Sequence, residues 1–125
     1  MSGNHPHTRV FVYGSLLERG RQLKVVGREL RMLPARLPGF ERRRERYYYI
    51  VPRADTETAG AILLGLDARD LSALDRYEEV PTLYTREIVT ALTAAGGQIS
   101  CWCYMPTAST QPRRRPGGAM PARAS

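Results

Sequence analysis

Two stretches of the sequence carry residue types that could perform chemistry together, and the first is a strand ending at a Gly-Ser pair. Residues 10–13 are all β-branched or aromatic, which is typical of a short strand buried on both faces. Gly14 interrupts this run and permits the positive φ of a tight turn. In such a turn the amides of Gly14, Ser15 and Leu16 point the same way and suit a carboxylate, a phosphate or an oxyanion. Taken alone, however, such a corner is more often a plain turn.

The second stretch is a helix predicted over residues 67–79. Asp67 is suited to the N-cap position, and Asp70 places a second negative charge in the first turn. Leu71 and Leu74 then begin an apolar stripe with helical spacing. The helix is therefore expected to pack one face against a core.

Glu78 lies on that same stripe, four residues beyond Leu74, so the last turn of the helix carries a carboxylate on its inward face. Burial and the negative end of the helix dipole would both raise the pKa of such a group, as a general base working near neutrality requires. The alternative, equally consistent with the spacing, is that the helix frays and Glu78 reaches solvent or pairs with Arg76 or Arg86.

A predicted hairpin follows the helix, with strands at 83–92 and 98–105 joined through Gly96 and Gly97. Tyr84 and Arg86 are two residues apart at the start of its first strand, so they share one face and could hydrogen-bond or charge-pair to the site. A half-buried aromatic is nevertheless the commoner role for such a tyrosine.

The remaining elements do not alternate regularly between strand and helix, which disfavours a parallel βαβ fold. Gly60 and Gly65 indicate bulges or close backbone approaches. We predict an α+β fold, a small mixed and mainly antiparallel β-barrel with one or two short helices. Its other predicted elements are a short helix and turn within 16–31, an irregular or edge strand over 31–40, a strand over 46–51, a polar connection over 52–58 and a strand over 59–66.

The 125 residues form one domain, predicted over residues 9–106 with a frayed leader at 1–8 and a basic, disordered tail at 107–125. The net charge of +7 is concentrated, because the tail contributes +4 and residues 41–46 contribute +2. A short basic tail defines no nucleic-acid-binding fold, so nucleic acid is not the expected partner. The sequence also lacks a signal peptide and a membrane span, which predicts a cytoplasmic protein that does not bind membranes.

Cysteine and histidine spacings give no support to a metal site or a cofactor. Cys101 and Cys103 lie two apart in a predicted strand and are expected to be buried free thiols, while His5 and His7 fall in the leader. With no other histidines in the chain, an ordinary Ser-His arrangement around Ser15 is also improbable. We expect neither a metal nor a cofactor.

Several motifs in this order resemble the γ-glutamylcyclotransferase-like family, which includes γ-glutamylamine cyclotransferases and the plant AIG2-like proteins. The likeness covers roughly residues 9–106. It consists of Val-Phe-Val-Tyr-Gly-Ser-Leu at 10–16, Leu-Asp-Arg-Tyr-Glu at 74–78, Tyr-Thr-Arg at 84–86, Gly60 before an apolar strand, and Trp-Cys-Tyr-Met-Pro at 102–106.

The resemblance implies site residues as well as a fold. By analogy, the backbone of the loop from Tyr13 to Leu16 binds the α-amino-acid end of a substrate, Glu78 is the acid/base, and Tyr84 contributes to the substrate site. Two departures are visible: many members have Gly directly after the glutamate, where this chain has Glu79, and the arginine-rich residues 42–46 match poorly.

The implied activity is a cyclotransferase reaction that releases 5-oxoproline from a γ-glutamyl amine or peptide by intramolecular attack of the substrate α-amine. The implied partner is thus a small γ-glutamyl molecule. Two alternatives stay open: a non-catalytic small-molecule-binding domain of the same fold, and a nucleic-acid or anionic-surface binder that acts through the arginine tail.

Overall fold

The computed structural model describes residues 8–45 and 48–107. Predictions about the leader before Thr8, about Arg46 and Tyr47, and about the tail after Thr107 lie outside these residues. The described elements are β1 (Val10–Val12), α1 (Arg19–Val26), β2 (Arg31–Arg44), β3 (Tyr48–Leu64), α2 (Ala68–Tyr77), β4 (Tyr84–Thr93) and β5 (Gln98–Pro106).

The five strands close into a barrel with the order β1-β3-β2-β4-β5. Strand β1 pairs antiparallel with β3 and parallel with β5, so the barrel closes between the beginning and the end of the described chain. The other neighbouring pairs, β2 with β3, β2 with β4, and β4 with β5, are antiparallel. The predicted fold class, a small mixed and mainly antiparallel barrel with two short helices, is confirmed.

Strand β1 lies at the centre of the core. Val10, Phe11, Val12 and Tyr13 are all completely buried, because the strand has a neighbour on each edge and side chains packed on both faces. This explains why the run has no polar residue, since a strand covered on both sides loses the usual polar alternation. The prediction of a doubly buried strand is confirmed.

The polar connection predicted over residues 52–58 is only partly right, because it lies within a single strand, β3, of 17 residues. Thr58 and Glu57 pair with Leu37 and Pro38 of β2, but the next pair is Pro52 with Phe40, so residues 53–56 form a bulge without a partner in β2. Most side chains of this stretch are exposed, which accounts for its polar composition without any interruption of the strand. The polar stretch is therefore an exposed bulge within a long hairpin, not a separate loop.

Strand β2 also extends further than predicted, to Arg44, with a register shift between Pro38 and Phe40 where Gly39 adopts a φ of +85°. It pairs with β4 only at Ala35 and Arg36. Most of the strand therefore has a single hydrogen-bonded neighbour, which is the setting in which a strand tolerates proline. The prediction of an edge strand is right for this part of β2.

The hairpin of β4 and β5 is confirmed, with Gly96 at a φ of +90° in its turn. Cys101 and Cys103 are buried free thiols, as predicted. Burial raises the pKa of Cys101 to about 11, so its unreactive thiol form prevails at neutral pH. Within the described ranges, no helix is long and apolar enough to span a membrane, and no group of His, Cys, Asp and Glu is arranged to hold a metal ion.

Gly60 marks a close approach between β3 and β1, one of the two features predicted for this glycine. A Cβ at this residue would overlap the carbonyl oxygen of Val12 and lie 2.9 Å from Cζ of Phe11. Both neighbours belong to the fully buried strand, so neither can move aside cheaply. Gly60 thus allows β1 to sit deep in the barrel.

We expect Gly60→Ala to lower the free energy of unfolding by about 1–3 kcal/mol, because the added methyl group overpacks the core. Urea denaturation measures the change. Gly20→Ala is the matched control: nothing lies within 4 Å of a Cβ at Gly20 in α1, so alanine should be neutral or raise stability by up to about 1 kcal/mol. A Gly60→Ala protein as stable as the parent would contradict the close approach.

Candidate active site

The corner after β1 is a turn, as predicted, but its backbone differs from the expectation. A 3₁₀ turn spans Ser15–Leu17, and the Leu17 amide donates to the Gly14 carbonyl at 3.0 Å. Gly14 has φ −140° and ψ −127°, so the predicted positive φ is wrong. The ψ of Gly14 lies outside both the extended and the helical regions, so the chain enters the 3₁₀ turn in a conformation that the conformational freedom of glycine permits.

The amides of Gly14, Ser15 and Leu16 precede the first donors of this turn, which are Leu17 and Glu18. The leading amides of a helical turn have no acceptor within the turn itself. The corner therefore has the arrangement that makes the start of a helical turn suitable for an anion.

Buried Gln22, in α1, holds the backbone of this corner at Leu16. Its Nε2 donates to the Leu16 carbonyl at 3.0 Å, and its Oε1 accepts from the Leu30 amide at 3.1 Å. Because the Leu16 side chain is itself completely buried, any contribution of Leu16 to ligand binding comes from its backbone.

Arg42 holds the same corner at Tyr13. Its Nη1 donates to the Tyr13 carbonyl at 2.9 Å, and its guanidinium carbon lies 4.7 Å from the centre of the Tyr48 ring. The Tyr48 carbonyl in turn accepts a hydrogen bond from the Tyr84 hydroxyl at 3.2 Å. Arg42, which belongs to the arginine-rich segment, therefore connects the corner to Tyr84 through Tyr48.

Helix α2 begins where the sequence predicts, because Asp67 and Asp70 form a reciprocal capping box. The Asp70 amide donates to Asp67 Oδ1 at 2.8 Å, and the Asp67 amide donates to Asp70 Oδ2 at 3.0 Å. The bond from the Asp70 amide is the main reason that the pKa of Asp67 is lowered from its usual value. The cap fixes the helical register and thereby the direction of every side chain in α2.

The end of α2 is fixed as firmly as its start. The Glu79 amide donates to the Arg76 carbonyl at 3.2 Å and the Val80 amide donates to the Asp75 carbonyl at 3.0 Å, the bond pattern of a Schellman motif. Glu79 has a φ of +57°, the left-handed conformation that this motif requires and that glycine adopts most easily. The backbone thus leaves the helix directly after Glu78.

Glu78 is the C-cap residue of α2 and is 1% exposed. Its burial confirms the prediction that the apolar stripe carries the carboxylate inward, and the alternative in which Glu78 reaches solvent is wrong. Arg86 is engaged by Asp75, with Nε 3.1 Å and Nη2 3.2 Å from the carboxylate oxygens. The charge pair of Arg86 therefore lies three residues before Glu78 on the same helix.

The corner and the end of α2 meet through a hydrogen bond between Ser15 Oγ and Tyr77 Oη, which are 2.8 Å apart. The charge of Glu78 also raises the pKa of the tyrosines around it. Burial is the main cause of the raised pKa of Tyr84, and the Glu78 carboxylate is the next. The pKa of Tyr13 is also raised, first by burial and then by electrostatic interactions with Cys103, Tyr84 and Glu78.

All six residues predicted for the site therefore occupy one region of the structure: Tyr13, Gly14, Ser15, Leu16, Glu78 and Tyr84. Two of them have buried side chains that hold the scaffold, since the Tyr13 hydroxyl donates to the Tyr104 carbonyl at 3.0 Å and Tyr84 reaches Tyr48. What could face a ligand is the backbone of the corner and the carboxylate of Glu78.

Sequence reasoning missed two residues that connect these parts, Tyr77 and Arg42. Tyr77 directly precedes Glu78 in the Leu-Asp-Arg-Tyr-Glu motif, so its position was a signal that could have been used. Arg42 lies in the segment that matches the family poorly, and its contact with Tyr13 depends on the pairing of β2 with β3. No local pattern would have identified it.

A family model described as "Gamma-glutamyl cyclotransferase, AIG2-like" matches residues 10–120 of the chain. This chain belongs to the gamma-glutamyl cyclotransferase, AIG2-like family. The resemblance inferred from the two motifs is therefore confirmed. The match begins at β1 and includes the corner, α2 and the β4–β5 hairpin.

Two curated relatives agree with this membership. A protein of Methanocaldococcus jannaschii named "gamma-glutamylcyclotransferase and putative RNase" is 29% identical over 99 residues, which are 77% of this chain and 45% of the relative. AIG2-like protein D of Arabidopsis thaliana is 34% identical over 95 residues, which are 74% of this chain and 61% of the relative. The aligned segments thus span about half of these two relatives.

A solved structure shares the fold. The solution structure of an Arabidopsis thaliana protein superposes with a TM-score of 0.76 at 28% identity, covering 90% of this chain and 77% of the other. The family's barrel is therefore formed by this chain as well.

The family's frequent glycine after the glutamate now has a structural reason, because that position is left-handed here. We expect Glu79→Gly to raise the free energy of unfolding by about 0.5–1 kcal/mol, since relief of the left-handed strain outweighs the added chain entropy. Chemical denaturation measures this change in the free energy of unfolding. Glu79→Ala keeps the strain and should bring no such gain; equal gains for both variants would contradict the explanation.

The contact of Arg42 with Tyr13 predicts a local effect on the corner. We expect Arg42→Lys to speed amide hydrogen exchange at residues 14–16 by about fivefold, because a compact ammonium loses both the planar stacking on Tyr48 and about 1 kcal/mol of anchoring. Arg44→Lys is the matched control, since the Arg44 guanidinium also lies over the Tyr48 ring, at 5.1 Å. Exchange rates unchanged in Arg42→Lys would show that Arg42 does not hold the corner.

Proposed function

We propose that this protein is a cyclotransferase that releases 5-oxoproline from a γ-glutamyl amine or γ-glutamyl peptide. The observation that carries the proposal is the 2.8 Å bond between Ser15 and Tyr77. It holds the amide-bearing corner against the helix end at which the buried carboxylate of Glu78 is located. Family membership supports a cyclotransferase activity of this general kind.

The corner would bind the α-amino-acid end of the substrate. Amides that precede a helical turn favour an anion, so the N–H groups from Gly14 to Leu16 are suited to the α-carboxylate. The contacts of Gln22 and Arg42 with the backbone on either side keep these amides in place before the substrate arrives. Such preorganisation lowers the barrier because the reacting groups are oriented on binding.

Glu78 would move the protons. It accepts a proton from the α-ammonium group, and the freed amine attacks the γ-carbonyl carbon, so that the ring C–N bond forms as the amide C–N bond breaks. Protonated Glu78 then donates to the leaving nitrogen. A second transfer takes the remaining extra proton from the ring nitrogen to the released amine, so the products are 5-oxoproline and a protonated amine.

The nucleophile in this reaction belongs to the substrate, so the chain needs to supply only orientation and proton transfer. A buried carboxylate is suited to this task because it exchanges protons with the bound substrate rather than with bulk water. Ser15 then acts through its hydrogen bond with Tyr77 and not as a nucleophile.

The name of the archaeal relative also includes a putative RNase activity, but more than half of that protein lies outside the aligned segment. The arginine tail on which a nucleic-acid function would depend lies outside the described residues. The proposed function therefore remains the small-molecule reaction.

Glu78→Gln tests the mechanism directly. We expect kcat for 5-oxoproline release from γ-glutamyl amino acids or γ-glutamylamines to fall by roughly 10²–10⁴-fold, because the amide cannot accept the proton.

The matched control is Glu79→Gln, which removes the adjacent, exposed carboxylate and should leave kcat within about twofold of the parent value. A Glu78→Gln protein as active as the parent would refute the role of Glu78. Saturable binding of γ-glutamyl compounds by the parent without product formation would instead favour a non-catalytic binding domain.

A further inference from the structure

A cleft between α1 and α2 lies beside the proposed active site and shares only Tyr77 with it. Its volume is about 470 Å³, and it is lined by Arg21, Lys24, Val25, Ala73, Arg76 and Tyr77. The lining residues of each helix are spaced i, i+3 and i+4, so each helix presents a single face to the cleft. A volume of this size is typical of sites for small organic ligands.

All the charged residues that line this cleft are positively charged. Arg21 and Lys24 on α1 face Arg76 on α2, and no lining residue is acidic. Within residues 8–45 and 48–107, none of the observed ion pairs includes any of these three cations. Cations gathered around one cavity repel each other, and an anion between them would relieve that repulsion.

The acidic residues of α2 cannot neutralise the cleft because they already have other partners. Asp70 pairs with Arg28 and takes part in the capping box. Asp75 pairs with Arg86 and accepts the Tyr104 hydroxyl at 2.7 Å. Neither carboxylate of α2 is therefore available to the cations of the cleft.

We propose that this cleft binds a phosphate monoester of a small organic molecule. A phosphate monoester carries close to two negative charges at neutral pH, with three terminal oxygens that cations on opposite walls can reach. Two arginines favour this geometry because the guanidinium donates two parallel hydrogen bonds to such an anion. A carboxylate offers a single charge and two oxygens in one plane.

The organic part of the ligand has its own contact surface. Val25, Ala73 and the ring of Tyr77 form the apolar portion of the lining, and a phosphoryl group alone would fill only a fraction of the volume. The Tyr77 hydroxyl meanwhile bonds Ser15, so the ring is held in place. The assignment does not depend on catalysis and is tested by binding alone.

The test is a titration of the full chain with phenyl phosphate, followed by calorimetry at constant ionic strength. We expect one saturable site, and an affinity at least about tenfold higher than that for phthalate or inorganic phosphate, because these lack either the phosphoryl group or the ring. Arg21→Ala and Arg76→Ala should each weaken binding of phenyl phosphate by about tenfold or more.

The matched control is Arg19→Ala, in the same turn of α1, since Arg19 lies beside Glu29 at 3.6 Å instead of lining the cleft. It should change the affinity by less than about twofold. Circular dichroism would verify that the helices persist in every variant. Equal binding of phthalate, equal binding of inorganic phosphate, or an equal loss of affinity in Arg19→Ala and Arg21→Ala would each overturn the assignment.

Discussion

The burial of the Glu78 carboxylate is the constraint on which the rest of this structure depends. Withdrawing a carboxylate from water costs several kcal/mol. The core residues Tyr13, Tyr84 and Tyr104 lie near Glu78, and its charge contributes to their raised pKa values. A helix free to slide or fray would release Glu78 to solvent. The capping box at one end of α2 and the Schellman motif at the other prevent this.

The helix is also attached to the barrel by polar contacts. Asp75 accepts the Tyr104 hydroxyl from β5 and pairs with Arg86 from β4. Arg86 lies over the Trp102 ring at 4.3 Å, so its guanidinium is in contact on two sides. One turn before Glu78, α2 is thereby connected to both strands of the last hairpin, and the position of the carboxylate follows from the barrel.

The parts of the fold that local sequence determines were predictable. The run 10–13, the cap at Asp67 and the stripe leading to Glu78 depend on neighbours within a few residues, and the structure agrees with all three. The full length of strand β3 was not predictable in this way, because it depends on the pairing of residues 52, 57 and 58 with β2 on either side of an unpaired polar bulge.

The same distinction applies to the candidate site. Its principal residues carry local motifs, so they could be named from the sequence. The contacts that hold them together join residues far apart in the chain, such as Ser15 with Tyr77 and Arg42 with Tyr13. The conformation of Gly14 was mispredicted for a related reason, since a glycine indicates freedom of the backbone but not which conformation is used.

The parallel pairing of β1 with β5 has a consequence for the order of assembly. Val10 pairs with Trp102, and Tyr13 bonds Tyr104 across 91 residues of sequence. Until β5 has left the ribosome, the most apolar strand of the protein has one unpaired edge, and the tyrosine that anchors the helix through Asp75 is missing. Contacts of such long range slow folding. The site can therefore assemble only after synthesis of the domain is almost complete.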